Sequence, residues 1–240
     1  MLRRPTLTPK GKDRGLPVSF RIDRATARLE MLPEFSLRRG VYDLDVALDV
    51  QRRGGRRATV KALSVLHPGD HLNVDLDIGG DGPMKVRADA LEARGGALAG
   101  AIGLPADQPF AVDIDADGKE SQGTFSAYAT SGAARPLDAS GSWTPQGGQA
   151  RGRLSLAAST LTRGWMDRLG PEVTFLVTGR RAGENLFDLD ARLNAENLGL
   201  EARGQGDPGK RQLGPRGVTL VAVSPNLSRI TGGPPWAGRR

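Results

Sequence analysis

Tyr42-Asp43-Leu44-Asp45-Val46-Ala47-Leu48-Asp49-Val50 is the stretch that decides the fold. Successive side chains of a β-strand point to opposite faces, so a carboxylate at nearly every second position makes a ribbon with one apolar and one hydrated face. The pattern returns at Leu72-Asn73-Val74-Asp75-Leu76-Asp77-Ile78 and at Phe110-Ala111-Val112-Asp113-Ile114-Asp115-Ala116-Asp117. Later copies are Gly152-Arg153-Leu154-Ser155-Leu156 and Phe187-Asp188-Leu189-Asp190-Ala191-Arg192-Leu193. A long run of such ribbons builds a surface for something apolar.

Upstream, Val18, Phe20 and Ile22 share one parity, and Ala25, Ala27 and Leu29 follow on the other. Turn signals stand at Arg38-Arg39-Gly40, Gly54-Gly55, His67-Pro68-Gly69-Asp70, Gly79–Pro83, Gly95-Gly96, Asp117-Gly118, Ser131-Gly132 and Gly147-Gly148. They separate runs of roughly eight to twelve residues, the spacing of antiparallel neighbours joined by short loops. One helix is expected near 160–169: Ser159 or Thr160 caps it, Leu161, Trp165 and Leu169 share a face, and Gly170-Pro171 stops it. Trp165 then reads as a packing anchor. Strand patterning resumes at Val173, Phe175 and Val177 and ends near Val223. This divides the chain into a basic leader without periodicity (1–15), a repetitive antiparallel β segment (16–223) and a Pro/Gly-rich tail (224–240).

Of the 240 residues, 38% are hydrophobic and 5% aromatic, with 33 glycines, which is too little bulk to fill a core from two sides. The expected fold class is therefore all-β, as a thin, elongated sheet. The absence of cysteine excludes disulfide staples and thiolate metal sites and suits the cytosol and the periplasm alike. The formal net charge is +7. Its excess is assigned to loops and ends, at Arg3, Arg4, Lys10, Lys12, Arg14, the pairs Arg52-Arg53, Arg56-Arg57 and Arg180-Arg181, and Arg239-Arg240, while the strands carry Asp. No apolar run, Val218–Val223 included, approaches the ~18 residues of a membrane span, and Met1–Gly15 has no signal-peptide core.

Three motifs invite chemistry and fail on their surroundings. Asp113, Asp115, Asp117 and Gly118 begin like an EF-hand loop, but Thr124 stands at the twelfth position where a bidentate Glu is required. Gly204–Lys210 has phosphate-loop spacing, yet Arg211 replaces the magnesium-binding hydroxyl and Gly214-Pro215 prevents a helix. His67 and His71 have zinc spacing, but Pro68-Gly69 between them breaks the helix that would stack both rings, so a turn with two exposed rings is expected. No nucleophile–base set remains, so the reading is of a protein that is not an enzyme and uses no metal or cofactor. Nucleic acid is excluded as a partner because the strands present carboxylates where aromatic residues and cations would be needed.

The stretches LPVSFRIDRATARLE (16–30), RRGVYDLDVALDV (38–50), GDHLNVDLDI (69–78), GALAGAIGLPADQPFAVDIDADG (96–118) and LDASGSWTPQGGQARGRLSLAAS (137–159) resemble the middle of TamB-family proteins. These are translocation and assembly module subunits, relatives of the AsmA-like bridge proteins, and the likeness runs from about Arg3 to Ala222. The resemblance implies a long antiparallel sheet curled into an open, apolar-lined trough that spans the periplasm. It implies an inner-membrane anchor, an outer-membrane barrel assembly partner, phospholipid movement between the membranes, and support of autotransporter and outer-membrane protein assembly. The family's anchor helix and long C-terminal domain are absent from this sequence, so an internal segment is expected, with the barrel partner engaged through regions absent here. The partners are phospholipid acyl chains, for which burial of each methylene contributes about 0.8 kcal/mol on any continuous greasy surface. Candidate groove residues are Val18, Phe20 and Ile22, then Leu44, Val46 and Leu48, then Leu72, Val74, Leu76 and Ile78. Phe110, Val112, Ile114 and Phe125 follow, then Leu154 and Leu156, Val173, Phe175 and Val177, and Phe187 and Leu189. The alternatives are a β-sandwich whose apolar faces pack on each other and a secreted Gly/Asp-rich binding or adhesin module.

Overall fold

Each Asp-alternating ribbon is a strand, and the strands follow one another as β1 (Phe20–Met31), β2 (Gly40–Val50), β3 (Arg56–Ser64), β4 (His71–Ile78), β5 (Pro83–Glu92) and β6 (Phe110–Lys119). They continue as β7 (Gln122–Ser131), β8 (Ala134–Thr144), β9 (Gly147–Ser155), β10 (Glu172–Arg181), β11 (Phe187–Ala195), β12 (Gly199–Asp207) and β13 (Gln212–Val223). The computed structural model describes residues 19–52, 55–79, 82–119, 121–207, 210 and 212–231; the expected leader, Val18 and the end of the tail lie outside the described residues. All thirteen strands form one sheet in chain order. The sheet is antiparallel throughout, curled and not closed. No second sheet lies over it among the described residues, so the two-sheet sandwich does not arise.

Register follows from charge on the hydrated face. Cross-strand partners place Arg21, Asp49, Arg57, Asp77, Lys85 and Asp117 in one line across β1 to β6, with alternating sign. Ion pairs form along and beside this line: Arg57–Asp77 at 2.9 Å, Lys85–Asp117 at 3.6 Å and Arg87–Asp115 at 3.2 Å. At the β1 end Arg24 meets Asp45 at 2.8 Å and Arg28 meets Asp43 at 2.7 Å. The hydrogen bond from Arg28 is the main reason that the Asp43 carboxyl is held below its ordinary range. The expectation that basic residues occupy loops while strands carry Asp is therefore corrected: β2, β4 and β6 are acidic, and β1, β3 and β5 supply the cations between them. An exposed pair such as Arg57–Asp77 contributes at most ~1 kcal/mol. A slip by one residue, however, would bring polar side chains to the apolar face in every strand at once.

Among the described residues, helices sit on one lip only. α1 (Pro33–Ser36) follows β1, α2 (Ala97–Ala101) follows β5, a 3-10 turn (Thr160–Thr162) and α3 (Arg163–Leu169) follow β9, and α4 (Leu227–Thr231) follows β13. In an antiparallel meander every connection after an odd-numbered strand leaves from the same side, so these segments line up along one rim. The expected helix near 160–169 is present, and Ser159 caps its first turn by accepting from the Leu161 amide at 3.1 Å. It is not the only one, and Trp165 is no packing anchor: it is 59% exposed and Leu161 is 70% exposed. The segment lies at the rim with Leu161 and Trp165 turned outward and only Leu169 half-buried.

Two further expectations change. Asp117-Gly118 and Gly147-Gly148 flank hairpins and do not form their tips: Asp117-Gly118 lie near the end of β6, and Gly147 opens β9 directly after the turn at Pro145-Gln146. Gly118 pairs with Gly123 and Gly148 with Trp143, so these glycines admit close neighbours and do not reverse the chain. The shift of parity between Ile22 and Ala25 is a β-bulge in the edge strand β1. No helix among the described residues is long and apolar enough to cross a membrane, a statement that does not bear on crossing by strands.

Candidate functional site

The apolar face is ordered into rows. Cross-strand partners link Ala25, Val46, Val60, Val74, Ala88, Ile114 and Ala127 across β1 to β7. The same row continues through Ala139, Gly152, Phe175, Leu193, Leu200 and Ala222 to β13. A second row runs from Ile22 through Leu48, Ala58, Leu76, Val86, Ala116 and Phe125. It ends through Gly141, Ala150, Val177, Ala191, Ala202 and Leu220. Neither row contains a polar side chain. With thirteen strands spaced ~4.8 Å apart, each row is about 58 Å long.

Aromatic rings lie flat in the floor of this trough because glycine faces them. Phe125 rests on Gly141, and Phe175 rests on Gly152, where an added Cβ would meet the ring Cζ at 2.7 Å. Aromatic side chains laid over cross-strand glycines cover bare backbone without raising the floor.

The candidate groove residues divide by depth. Val46, Leu48, Val74, Leu76, Ile78, Ile114, Phe125, Phe175 and Phe187 are half-buried, and Phe20, Ile22, Leu154, Val177 and Leu189 are exposed, all on the trough parity. Leu44, Leu72 and Val112 stand one row nearer the helical rim and pack against residues covered by α2. Phe110, Leu156 and Val173 are buried beneath the rim segments, with Phe110 only 3% exposed, and do not line the open part.

The rim is built on a buried carboxylate that the sequence reading passed over. Glu92 is 0% exposed. One of its oxygens accepts the Tyr42 hydroxyl at 2.6 Å and the Leu98 amide at 2.9 Å; the other accepts the Ala99 amide at 2.9 Å. Those amides belong to the first turn of α2, where helix N–H groups have no partner of their own. Gly96 is required here because a Cβ would collide with the Glu92 carboxylate. Burial, followed by the hydrogen bond to Glu92, pushes the Tyr42 phenol far above its ordinary range. Around this anchor, Tyr42, Ala62 and Ala97 form one buried cluster and Ala90, Ala99, Leu104 and Phe110 another, with Leu72 and Leu98 touching both. A signal for Glu92 was available: it continues the apolar parity of Val86, Ala88 and Ala90 and precedes Gly95-Gly96 and a short Ala-rich run.

The residues of the three tempting motifs have ordinary places. Asp115 and Asp117 face Arg87 and Lys85, and Thr124 is the cross-strand partner of Asp117, so no calcium loop forms there. His67 is exposed in a turn. His71, expected to be an exposed ring, is half-buried on β4 with Nε2 2.9 Å from Asp89 and Nδ1 2.8 Å from the Gly69 carbonyl. Gly204–Asp207 forms the last part of strand β12, and Pro208, Gly209 and Arg211 lie outside the described residues. Comparison with known proteins finds no matching family model, no matching curated protein and no matching solved structure.

Proposed function

We propose that this chain is a non-enzymatic lipid-conduit segment of the TamB-like kind, in which the curled sheet carries phospholipid acyl chains along its apolar face. The observation that carries the reading is the pair of unbroken apolar rows, each crossing all thirteen strands. An interior that served only for packing would be closed by a second layer; this one is covered at one rim and open elsewhere. Acyl chains need continuity and not specific contacts, and each methylene removed from water contributes about 0.8 kcal/mol. The hydrated face, with its paired charges, is suited to an aqueous compartment, and on this reading that compartment is the periplasm. The larger role would be support of outer-membrane protein assembly and secretion, with an outer-membrane barrel as assembly partner.

Photo-crosslinking residues at Ile114 and Asp113 test this directly, because they are neighbours on β6 with opposite parity. In cells, phospholipid adducts are expected at Ile114 and not at Asp113. Equal adducts at both positions would refute the conduit. Leu76→Arg places a charge in the open row, where the guanidinium still reaches water, so lipid adducts should fall while the fold persists.

A further inference from the structure

A third row crosses the apolar face one step beyond Ile22, Leu48 and Leu76, toward the lip that carries no helices among the described residues. Cross-strand partners run it through Phe20, Val50, Arg56, Ile78, Met84 and Gly118 to Gly123. It finishes through Trp143, Gly148, Gly179, Leu189 and Gly204 to Val218. Every other member is glycine or a hydrophobic residue; Arg56 is the one charge in the row. Its neighbour Arg57 faces the outer side and meets Asp77 at 2.9 Å. Arg56 stands instead between Val50 and Ile78, exposed, with no ion-pair or hydrogen-bond partner for its guanidinium among the described residues.

Other charges of trough parity are already committed. Arg181, farther along the same lip, donates to the carbonyls of Gly183 at 3.0 Å and Pro145 at 3.4 Å and so ties down its own turn. At the opposite lip Glu92 is fully buried and accepts from the first turn of α2. That lip is also roofed over Phe110 and Val173, so a molecule with apolar tails in the rows reaches water with its polar end at the helix-free lip. We propose that Arg56 is the headgroup contact of the trough, pairing with the phosphodiester of a phospholipid whose acyl chains lie in the first two rows. The proposal rests on the conduit reading and narrows its cargo to lipids that carry an anionic phosphate. A guanidinium forms paired, charge-assisted hydrogen bonds with phosphate, and its aliphatic stem stays on the apolar face while its head meets water. Same-face residues of a strand are about 7 Å apart, so the backbone of Arg56 lies one such step from Ala58 in the second row, the reach of a glycerol linkage. Arg52, Lys119 and Arg180, also exposed here, give this lip a cationic border, whereas Glu34, Asp107 and Asp167 stand among the arginines of the helical lip.

The test uses the full chain, freed of lipid, and two probes with the same tails: dihexanoyl phosphatidylglycerol below its micellar concentration, and dihexanoylglycerol, which lacks the phosphate. Calorimetry should show both bound, the phospholipid about tenfold more tightly, as one charge-assisted contact would give. Arg56→Gln should abolish that preference and leave dihexanoylglycerol binding and the thermal melt unchanged, while Arg57→Gln, of opposite parity in the same hairpin, should keep it. In nitrogen-15 spectra the Arg56 Nε–H signal should shift with the phospholipid and not with dihexanoylglycerol. A preference that survives Arg56→Gln, an equal loss in Arg57→Gln, or inorganic phosphate bound at Arg56 as tightly as the phospholipid would each overturn the headgroup assignment while dihexanoylglycerol binding leaves the conduit standing. Failure of the native chain to bind either probe would refute the conduit itself, and this assignment with it.

Discussion

Replacing Glu92 by Gln keeps the shape of the side chain and removes the charge that organises the helical rim. The carboxylate accepts three hydrogen bonds, at 2.6, 2.9 and 2.9 Å, and is fully buried. An amide has one accepting atom. Oriented to serve Tyr42 and Leu98, it turns its NH2 toward the Ala99 amide, so two donors face each other in a dry site. Two charge-assisted bonds become neutral ones, losing roughly 1 kcal/mol each, and one buried donor is left unpaired at about 1–3 kcal/mol. The sum is a loss of about 3–5 kcal/mol for Glu92→Gln. Glu92→Ala should cost at least as much, because all three donors are then left without an acceptor. Urea unfolding gives the total, and hydrogen exchange at Leu98 and Ala99 localises it, since protection of those two amides should collapse before that of the central strands. A double-mutant cycle with Tyr42→Phe should return a coupling of about 1–3 kcal/mol. A stability change under 0.5 kcal/mol for both variants, or unchanged protection at Leu98 and Ala99, would refute the account of Glu92 as the anchor of α2.

Two further outcomes follow from the same geometry. The Tyr42 phenol has its ionisation raised in the folded state, so its contribution to stability is complete below the ordinary tyrosine value of about 10 and is lost as pH rises above it, where the unfolded chain ionises first. Stability measured from pH 8 to 11 should fall less steeply in Tyr42→Phe than in the native chain, and parallel curves would show that Tyr42 is not the group responsible. Gly152→Val should tip the Phe175 ring off the floor and into the trough, because the new Cβ meets the ring at 2.7 Å and the Asp138 carbonyl at 2.8 Å. A destabilisation of about 1–3 kcal/mol is expected, together with weaker lipid cross-linking at Ala139 in the adjacent part of the row. Unchanged cross-linking would mean that the flat ring is irrelevant to the passage.

What this chain's order of residues determines by itself is parity. Period-two alternation is a property of neighbouring residues, so it assigns Leu44, Val46, Leu76 and Ile114 to one face and Asp43, Asp45, Asp77 and Asp115 to the other without any knowledge of the fold. The alternation of acidic and basic strands is legible in the same way, although the pair Arg56-Arg57 reads as loop charge from sequence alone, and only the partner Asp77 on the next strand places Arg57 in β3. Whether the apolar face is closed by a second sheet is a different kind of question. A sandwich and a single open sheet use the same ribbons, and only the pairing separates them: here every strand pairs with its chain neighbours and no strand with a distant one. The helical rim was equally hidden: α2 is five residues long, too short to leave a periodic signature, and it exists because Glu92, Tyr42 and the glycine at 96 meet around its first turn. Which groove residues stay open and which, like Phe110 and Val173, are roofed over was decided there, since burial depends on what the rest of the chain lays on top of a strand and not on the strand itself.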